Sequence, residues 1–491
     1  MVWTNANLKD MIRQRLGDEL FVVVSNREPY VHRFEGEEIV CEVPPSGLTI
    51  ALDPVMRACG GLWLAHGSGE ADHQVVDASA HVQVPPESPA YTLRRVWLTK
   101  EEEQRYYYGF ANQALWPLCH IAHTRPSFNL DEWQTYQAVN QKFADAVLEE
   151  VGDRRAFVFI QDYHFATLSR LLKRVNIRTA QFWHIPWPNP EAFRICPWSE
   201  EILDGLLGND LLGFHLQYHC QNFMDTVDRT IEAKMDYERF EITRGGCTTM
   251  ERPFPISVDF DAIAQRAASP PVAEEMKQLQ RRHGLRKMLV GLGVDRLDYT
   301  KGIPERLRAV DRFLERHPEF QERFVFVEIG VPSRVHIDAY QRVNDEIDQL
   351  VESINWKYQR DNWKPILFLK AHAAPASLSA WYQVANFCVV SSLHDGMNLV
   401  AKEFVASRAR EDGVLLLSHF TGAARELVDA ELVNPYAVDE LAEAFHRAAV
   451  MPPEEQQRKM QKLRAQVHEQ NIYRWAGKIL STLFKFEFQE A

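Results

Sequence analysis

The chain has 491 residues, 46% hydrophobic and 25% charged, proportions of a folded protein long enough for two or three domains. A net charge of −13 without a dense Lys/Arg cluster excludes a nucleic-acid partner held by phosphate neutralisation. No apolar run approaches the ~20 residues of a membrane span, and Met1–Asn5 leads into Lys9, Asp10, Arg13 and Arg15 without a signal-peptide core, so a cytoplasmic protein with no membrane partner is expected.

In chain order, short apolar runs predict strands at Leu20–Val24, Ala156–Ile160, Thr179–Ile185, Met288–Val294, Phe324–Ile329, Ile366–Leu369, Phe387–Val390 and Gly413–Leu417. They are continuously apolar, as in parallel strands covered on both faces. Glu200–Leu207, Val272–His283, Ile303–Glu315, Ala339–Ile354 and Val438–Ala449 carry helical spacing, and about Asn471–Phe488 reads as a last amphipathic helix. The alternation predicts an α/β, doubly wound architecture. Arg252-Pro253-Phe254-Pro255 places a boundary near Phe254–Asp259, giving two α/β halves and a terminal helix. Ligands of such sheets sit beyond the carboxyl ends of the strands. Seven scattered cysteines without a Cys-x-x-Cys pair point to reduced, mostly buried thiols.

The run Gly293-Val294-Asp295-Arg296-Leu297-Asp298-Tyr299-Thr300-Lys301-Gly302 leaves a predicted strand and enters a helix signalled by Ile303-Pro304-Glu305. Arg296 and Lys301 thus share a strand-to-helix turn with backbone N–H groups, a combination that suits a diphosphate; the plainer reading is two solvated cations. Gly291-Leu292-Gly293 lacks the third glycine of a dinucleotide fingerprint. After the run Phe387–Val390 comes Leu393-His394-Asp395-Gly396-Met397-Asn398-Leu399-Val400-Ala401-Lys402-Glu403. Asp395 and Glu403, about two helical turns apart, suit vicinal sugar hydroxyls; taken singly they read as an N-cap and a surface carboxylate. His184-Ile185-Pro186-Trp187-Pro188 puts an imidazole at a strand's end, where it donates to a sugar hydroxyl or is a satisfied polar group. Asp162, in Gln161-Asp162-Tyr163-His164, holds the same kind of position. Tyr107–Trp116 is dense in aromatics that stack on sugars or fill a core. His215 and His219 lack the His-Glu-x-x-His pattern, so no zinc set is expected there.

The order of these stretches is specific. Ser25-Asn26-Arg27, Tyr107–Trp116, Asp162-Tyr163-His164, His184-Ile185-Pro186, Gly213-Phe214-His215, Asp295–Gly302, Val331-Pro332-Ser333-Arg334, Asp395–Glu403 and Asn434-Pro435-Tyr436 resemble, in sequence and spacing, the trehalose-6-phosphate synthases from about Leu20 to Trp475. The resemblance implies a GT-B fold: two Rossmann-like domains facing across a cleft, residues 1–257 for the acceptor and 258–470 for the nucleotide sugar, with the helix of 471–491 packing back on the first. It implies retaining transfer of glucose from UDP-glucose to glucose-6-phosphate, with no metal and no cofactor beyond the nucleotide-sugar cosubstrate. Arg296 and Lys301 would grip the donor diphosphate and neutralise the leaving nucleotide, and Gly47 would let the backbone approach it. Asp395, the N–H groups of Met397 and Asn398, and His184 would hold the glucosyl hydroxyls. Glu403 would bind the ribose near Leu399 and Val400, and Leu378 would pack on the base. Arg27, Tyr107 and Arg334 would bind the acceptor phosphate; Trp116 and Asp162 would position the acceptor sugar. The partners are then small molecules, and a homo-oligomer is compatible with the reading.

Several positions depart from the family pattern. Ser46-Gly47 replaces paired glycines, Leu62-Trp63-Leu64-Ala65-His66-Gly67 lacks a second tryptophan, His394 stands for arginine and Gln161 for histidine. Arg27-Glu28-Pro29-Tyr30 is similar to glucosylglycerol-phosphate synthases, which leaves transfer to glycerol-3-phosphate or another phosphorylated acceptor as the alternative. A catalytically silent regulatory homologue would be expected to lose a diphosphate cation or donor carboxylate, yet Arg296, Lys301, Asp395 and Glu403 are all present. An α/β oxidoreductase lacks its glycine fingerprint.

Overall fold

In the computed structural model, which describes residues 2–44 and 47–488, each predicted apolar run contributes a strand. The chain divides into two compact units, Trp3–Ile256 with the segment that starts at Ile472, and Ser257–Asn471. The first unit contains β1 (Leu20–Arg27), β2 (Val31–Glu35), β3 (Glu38–Glu42), β4 (Leu62–His66), β5 (His81–Val84), β6 (Tyr91–Val96), β7 (Ala156–Gln161), β8 (Ile177–Phe182), β9 (Leu211–Phe214), β10 (Lys234–Asp236), β11 (Glu241–Arg244) and β12 (Cys247–Pro253). The second contains β13 (Leu289–Arg296), β14 (Phe324–Val331), β15 (Ile366–Leu369), β16 (Phe387–Val390), β17 (Val414–Ser418) and β18 (Glu431–Val433).

The second unit's sheet is wholly parallel, in the order β15-β14-β13-β16-β17-β18. This is the doubly wound 3-2-1-4-5-6 order, whose direction reverses between β13 and β16. The first unit repeats it: β12-β9-β8-β7-β1-β4-β6 run parallel, with β10 and β11 added antiparallel at one edge and β5 at the other. Its reversal lies between β1 and β7. Strands β7, β8, β16 and β17 are buried along their whole length, which is why β7, β16 and β17 are almost continuously apolar; β8 instead buries Arg178, Thr179 and Gln181. The run Thr179–Ile185 leaves the ladder after Phe182, ahead of Pro186 and Pro188, which have no N–H to donate.

The final helix, Ile472–Leu483, packs against β8 and β9 of the first unit. Trp475 anchors it, donating Nε1–H to Phe254 O at 3.2 Å and meeting Phe182 edge-on at 5.2 Å.

The reversal point of the second sheet is tied by one guanidinium. Arg306, on helix Ile303–Arg316, is fully buried. It donates to Glu328 on β14 at 2.8 and 2.5 Å and to Asp295 on β13 at 2.7 Å. It also reaches Ser391 Oγ, just past β16, at 3.3 Å. Burial pushes Asp295 up to about 6 against the pull of Arg306 and Lys301, so it stays ionised at neutral pH. A Cβ at Gly293 would lie 2.5 Å from Glu328 Oε2 and 2.8 Å from Arg306 Nε, so this glycine serves the ion cluster. Removing one partner of a buried ion cluster strands the others. Arg306→Met is therefore expected to lower unfolding free energy by about 3–5 kcal/mol, read from urea melts. Arg308→Met, which breaks an exposed pair with Glu346, should cost under about 1 kcal/mol; equal costs would contradict the analysis.

Candidate active site

Both reversal points carry residues singled out from the sequence. In the second unit, β13 ends at Arg296 and the chain turns through Asp298–Gly302 into helix Ile303–Arg316. Asp298 Oδ1 shapes the turn by accepting from the backbone N and the Oγ1 of Thr300, both at 3.0 Å. Burial pushes the Asp298 carboxylate up, but Arg296, Arg334 and Lys301 hold it below the ordinary range. Arg334 donates to Tyr340 Oη and lies 3.8 Å from Asp298. Gly302 lets the turn close: its φ is +62°, and a Cβ there would lie 2.1 Å from Ser391 O. Ser391 Oγ donates to the carbonyls of Lys301 (3.1 Å) and Gly302 (2.9 Å).

The structure joins two residues that the sequence reading treated apart. Lys301 Nζ donates to Asp395 Oδ2 at 2.5 Å, and the same oxygen accepts from Ser392 Oγ and Asn398 Nδ2, each at 3.2 Å. The loop holding Asp395 is pinned by backbone bonds from Asp395 N to Phe420 O (3.0 Å), Gly422 N to Asp395 O (3.1 Å) and Ala423 N to Met397 O (2.9 Å). Asn398, with φ +80°, accepts from Ala401 N at 3.1 Å and caps helix Leu399–Ser407. The N-cap reading of Asp395 is thereby corrected. So is the surface reading of Glu403: it is half-buried, accepts from Tyr382 Oη at 3.0 Å, and is pushed up by burial. Leu399 and Val400 open the same helix, half-buried. Leu378 sits one turn before Tyr382 on helix Pro375–Val384, on the same face.

In the first unit, Arg27 ends β1 and donates to Tyr107 Oη at 3.0 Å. Tyr107 stacks on His164 with centroids 5.6 Å apart. It lies in a π-helix, Gln104–Leu115, in which Asn112 and Gln113 side chains donate to the carbonyls of Tyr107 and Tyr108 five residues back; such wide turns recur at functional sites. Trp116 follows, buried, 5.8 Å from Tyr163. Asp162, just past β7, has φ 72°, and its Oδ1 accepts from Tyr163 N (2.8 Å) and His184 N (3.1 Å). His184 Nε2 meets Gln161 Oε1 at 2.9 Å, so the glutamine that departs from the family pattern orients this ring. Gly47 opens helix Gly47–Cys59 of this unit; Ser46 lies outside the described residues.

Two other departures acquire meaning. His66, half of the altered tryptophan stretch, pairs with Arg27 in the β1–β4 register and is kept neutral by burial, with Nδ1 3.2 Å from Val96 O. In Arg27-Glu28-Pro29-Tyr30, Glu28 turns inward to accept from Arg95 at 2.8 Å, and Tyr30 donates to Asp53 at 3.0 Å. Only Arg27 of that run is exposed. Arg306, Tyr340 and Tyr382 escaped the sequence reading. Arg306 alone left a signal, a charge on the apolar stripe formed by Ile303, Leu307 and Val310.

Burial, with the neighbouring His164, holds His184 near a pKa of about 3, against about 6.5 in an unfolded chain. Between those values the unfolded state binds a proton that the fold refuses, so stability falls as pH falls through this window. His184→Asn removes that contribution. Its stability relative to the parent is expected to improve from pH 7 to pH 4.5 in urea melts; a difference independent of pH would contradict the neutral assignment.

Comparison with known proteins bears on this geometry. Residues 19–485 match the profile of Glycosyltransferase family 20. A trehalose-6-phosphate synthase of Mycolicibacterium vanbaalenii is 36% identical over 480 residues, covering 96% of each chain. An E. coli protein solved with UDP-2-fluoro glucose bound superimposes with a TM-score of 0.84 at 30% identity, over 96% of this chain and 100% of that one. A UDP-forming α,α-trehalose-phosphate synthase of Burkholderia xenovorans, solved with glucose-6-phosphate, gives 0.84 at 29% identity, over 94% and 99%. The two Rossmann-like units are those of a GT-B enzyme. With matches of this length on both sequence and structure, the chain belongs to glycosyltransferase family 20, among the trehalose-6-phosphate synthases.

Proposed function

We propose that the protein transfers glucose, with retention and without a catalytic metal, from UDP-glucose to glucose-6-phosphate, giving trehalose-6-phosphate and UDP. The Lys301–Asp395 contact at the reversal point of the second sheet carries this reading. It sets an ammonium, next to Arg296, beside a carboxylate suited to sugar hydroxyls, where an open α/β sheet binds its ligand. Arg296 and Lys301 stabilise the charge that develops on the departing diphosphate, work done by a metal in other transferases. Asp395 and the N–H groups of Met397 and Asn398 hold the glucosyl hydroxyls, Glu403 the ribose, and Leu378 the base.

The acceptor phosphate falls to Arg27, Tyr107 and Arg334, and the acceptor sugar to Trp116 and Asp162. The acceptor hydroxyl attacks the anomeric carbon from the face the nucleotide leaves. The C–O bond to UDP breaks as the new glycosidic bond forms, and the hydroxyl proton passes to a departing phosphate oxygen. Glu28 and Tyr30 turn inward and leave Arg27 as the exposed residue of that run; glycerol-3-phosphate is the alternative acceptor.

The test incubates EDTA-treated protein with UDP-glucose and either acceptor, identifying products by mass spectrometry. Trehalose-6-phosphate is expected without added metal; no UDP release with glucose-6-phosphate would defeat the proposal. Lys301→Ala and Arg296→Ala should each lower turnover by about 100-fold or more, and near-normal rates in both would remove their role. Arg334→Ala should raise the acceptor KM while leaving donor affinity unchanged; weakened donor binding alone would reverse its assignment.

A further inference from the structure

Helix Ile303–Arg316 starts beside Lys301 and ends at His317 after 14 residues, about 21 Å away at 1.5 Å per residue. There it packs on helix Val438–Val450, which carries Glu443 and His446 one turn apart. Donor atoms of His317, Glu443 and His446 all lie within 4.8 Å of one another. We propose that these three residues bind one divalent transition-metal ion of the zinc class, at a structural site remote from the transfer chemistry.

His317 Nε2 is 3.6 Å from Glu443 Oε2. Tetrahedral zinc, with bonds of about 2.0–2.2 Å, sets its ligand atoms roughly 3.3–3.6 Å apart. That nitrogen is buried and has no hydrogen-bond partner among the described residues. Supporting groups orient the ligands. Arg316 donates to Glu443 Oε1 at 3.0 Å, leaving Oε2 toward His317, and Glu319 lies 3.7 Å from His317 Nδ1. A carboxylate hydrogen-bonded behind a ligating imidazole fixes its ring and raises its basicity, a role Glu319 takes only by closing this 3.7 Å gap. Phe313 and Phe320 flank the imidazoles at 5.6 and 6.0 Å. The rings of His317 and His446 stack at 4.0 Å and 8°; parallel rings aim their nitrogens side by side, so binding requires the half-buried His446 to turn out of this stack. An imidazole–carboxylate set selects zinc-like ions over magnesium. Binding cross-links two helices behind the sheet and stabilises the unit.

Zinc chloride titrated into EDTA-treated, reduced, full-length protein is expected to fill one saturable site by calorimetry and to raise the melting temperature, with magnesium doing neither. His446→Ala and the gentler Glu443→Gln, both checked for a normal metal-free melt, should each weaken the site at least about tenfold. Absence of saturable zinc binding would overturn the proposal. So would undiminished affinity in both variants, which would put the ion elsewhere, on cysteines such as the exposed Cys41.

Discussion

A buried guanidinium holds the chemistry of the second unit in register. Arg306 lies beneath the place where the strand order reverses, and its carboxylate partners stand on β13 and β14. Ser391 links it to the turn that carries Lys301. An isolated charge so placed would be prohibitive, but paired on three sides it becomes a rigid post. The strand glycine at 293 and the turn glycine at 302 are consequences, since side chains there would collide with the cluster and with Ser391 O. Lys301 is thus delivered to Asp395 by backbone that has little freedom to move.

The two units share a strand order but differ in electrostatics. The second concentrates cations: Arg296, Lys301 and Arg334 all act on one buried carboxylate, Asp298. The first works mainly with neutral groups. His184 is kept uncharged, Asp162 Oδ1 accepts from two backbone N–H groups, and the Tyr107 block rests on stacked rings. Cations suit a diphosphate leaving group, and neutral donors with aromatic faces suit a sugar.

Much of this was legible in the sequence because parallel strands buried on both faces are unbroken apolar runs. What hid were elements whose polar residues are buried by pairing. β6 reads as polar because Arg95 crosses its middle, yet Arg95 is buried against Glu28 and Asp72. β12 carries the buried Glu251, and β9 is four residues long. At the site, spacing singled out Arg296, Lys301, Asp395 and Glu403 as candidates, and the family resemblance supplied their proposed roles. It could not show that Lys301 and Asp395, 94 residues apart, are partners, nor that Tyr382 holds Glu403 from another helix. Asn398 displaced Asp395 as the helix cap because the helix starts only at Leu399, a boundary that spacing alone does not specify.

The central claim is that side chains of this protein, not a metal, hold the nucleotide's diphosphate. Calorimetric titration of EDTA-treated protein with UDP and with uridine tests it most directly. The account predicts that UDP binds far more tightly than uridine and that added magnesium leaves its affinity unchanged. UDP binding no tighter than uridine, or binding only when magnesium is supplied, would contradict it.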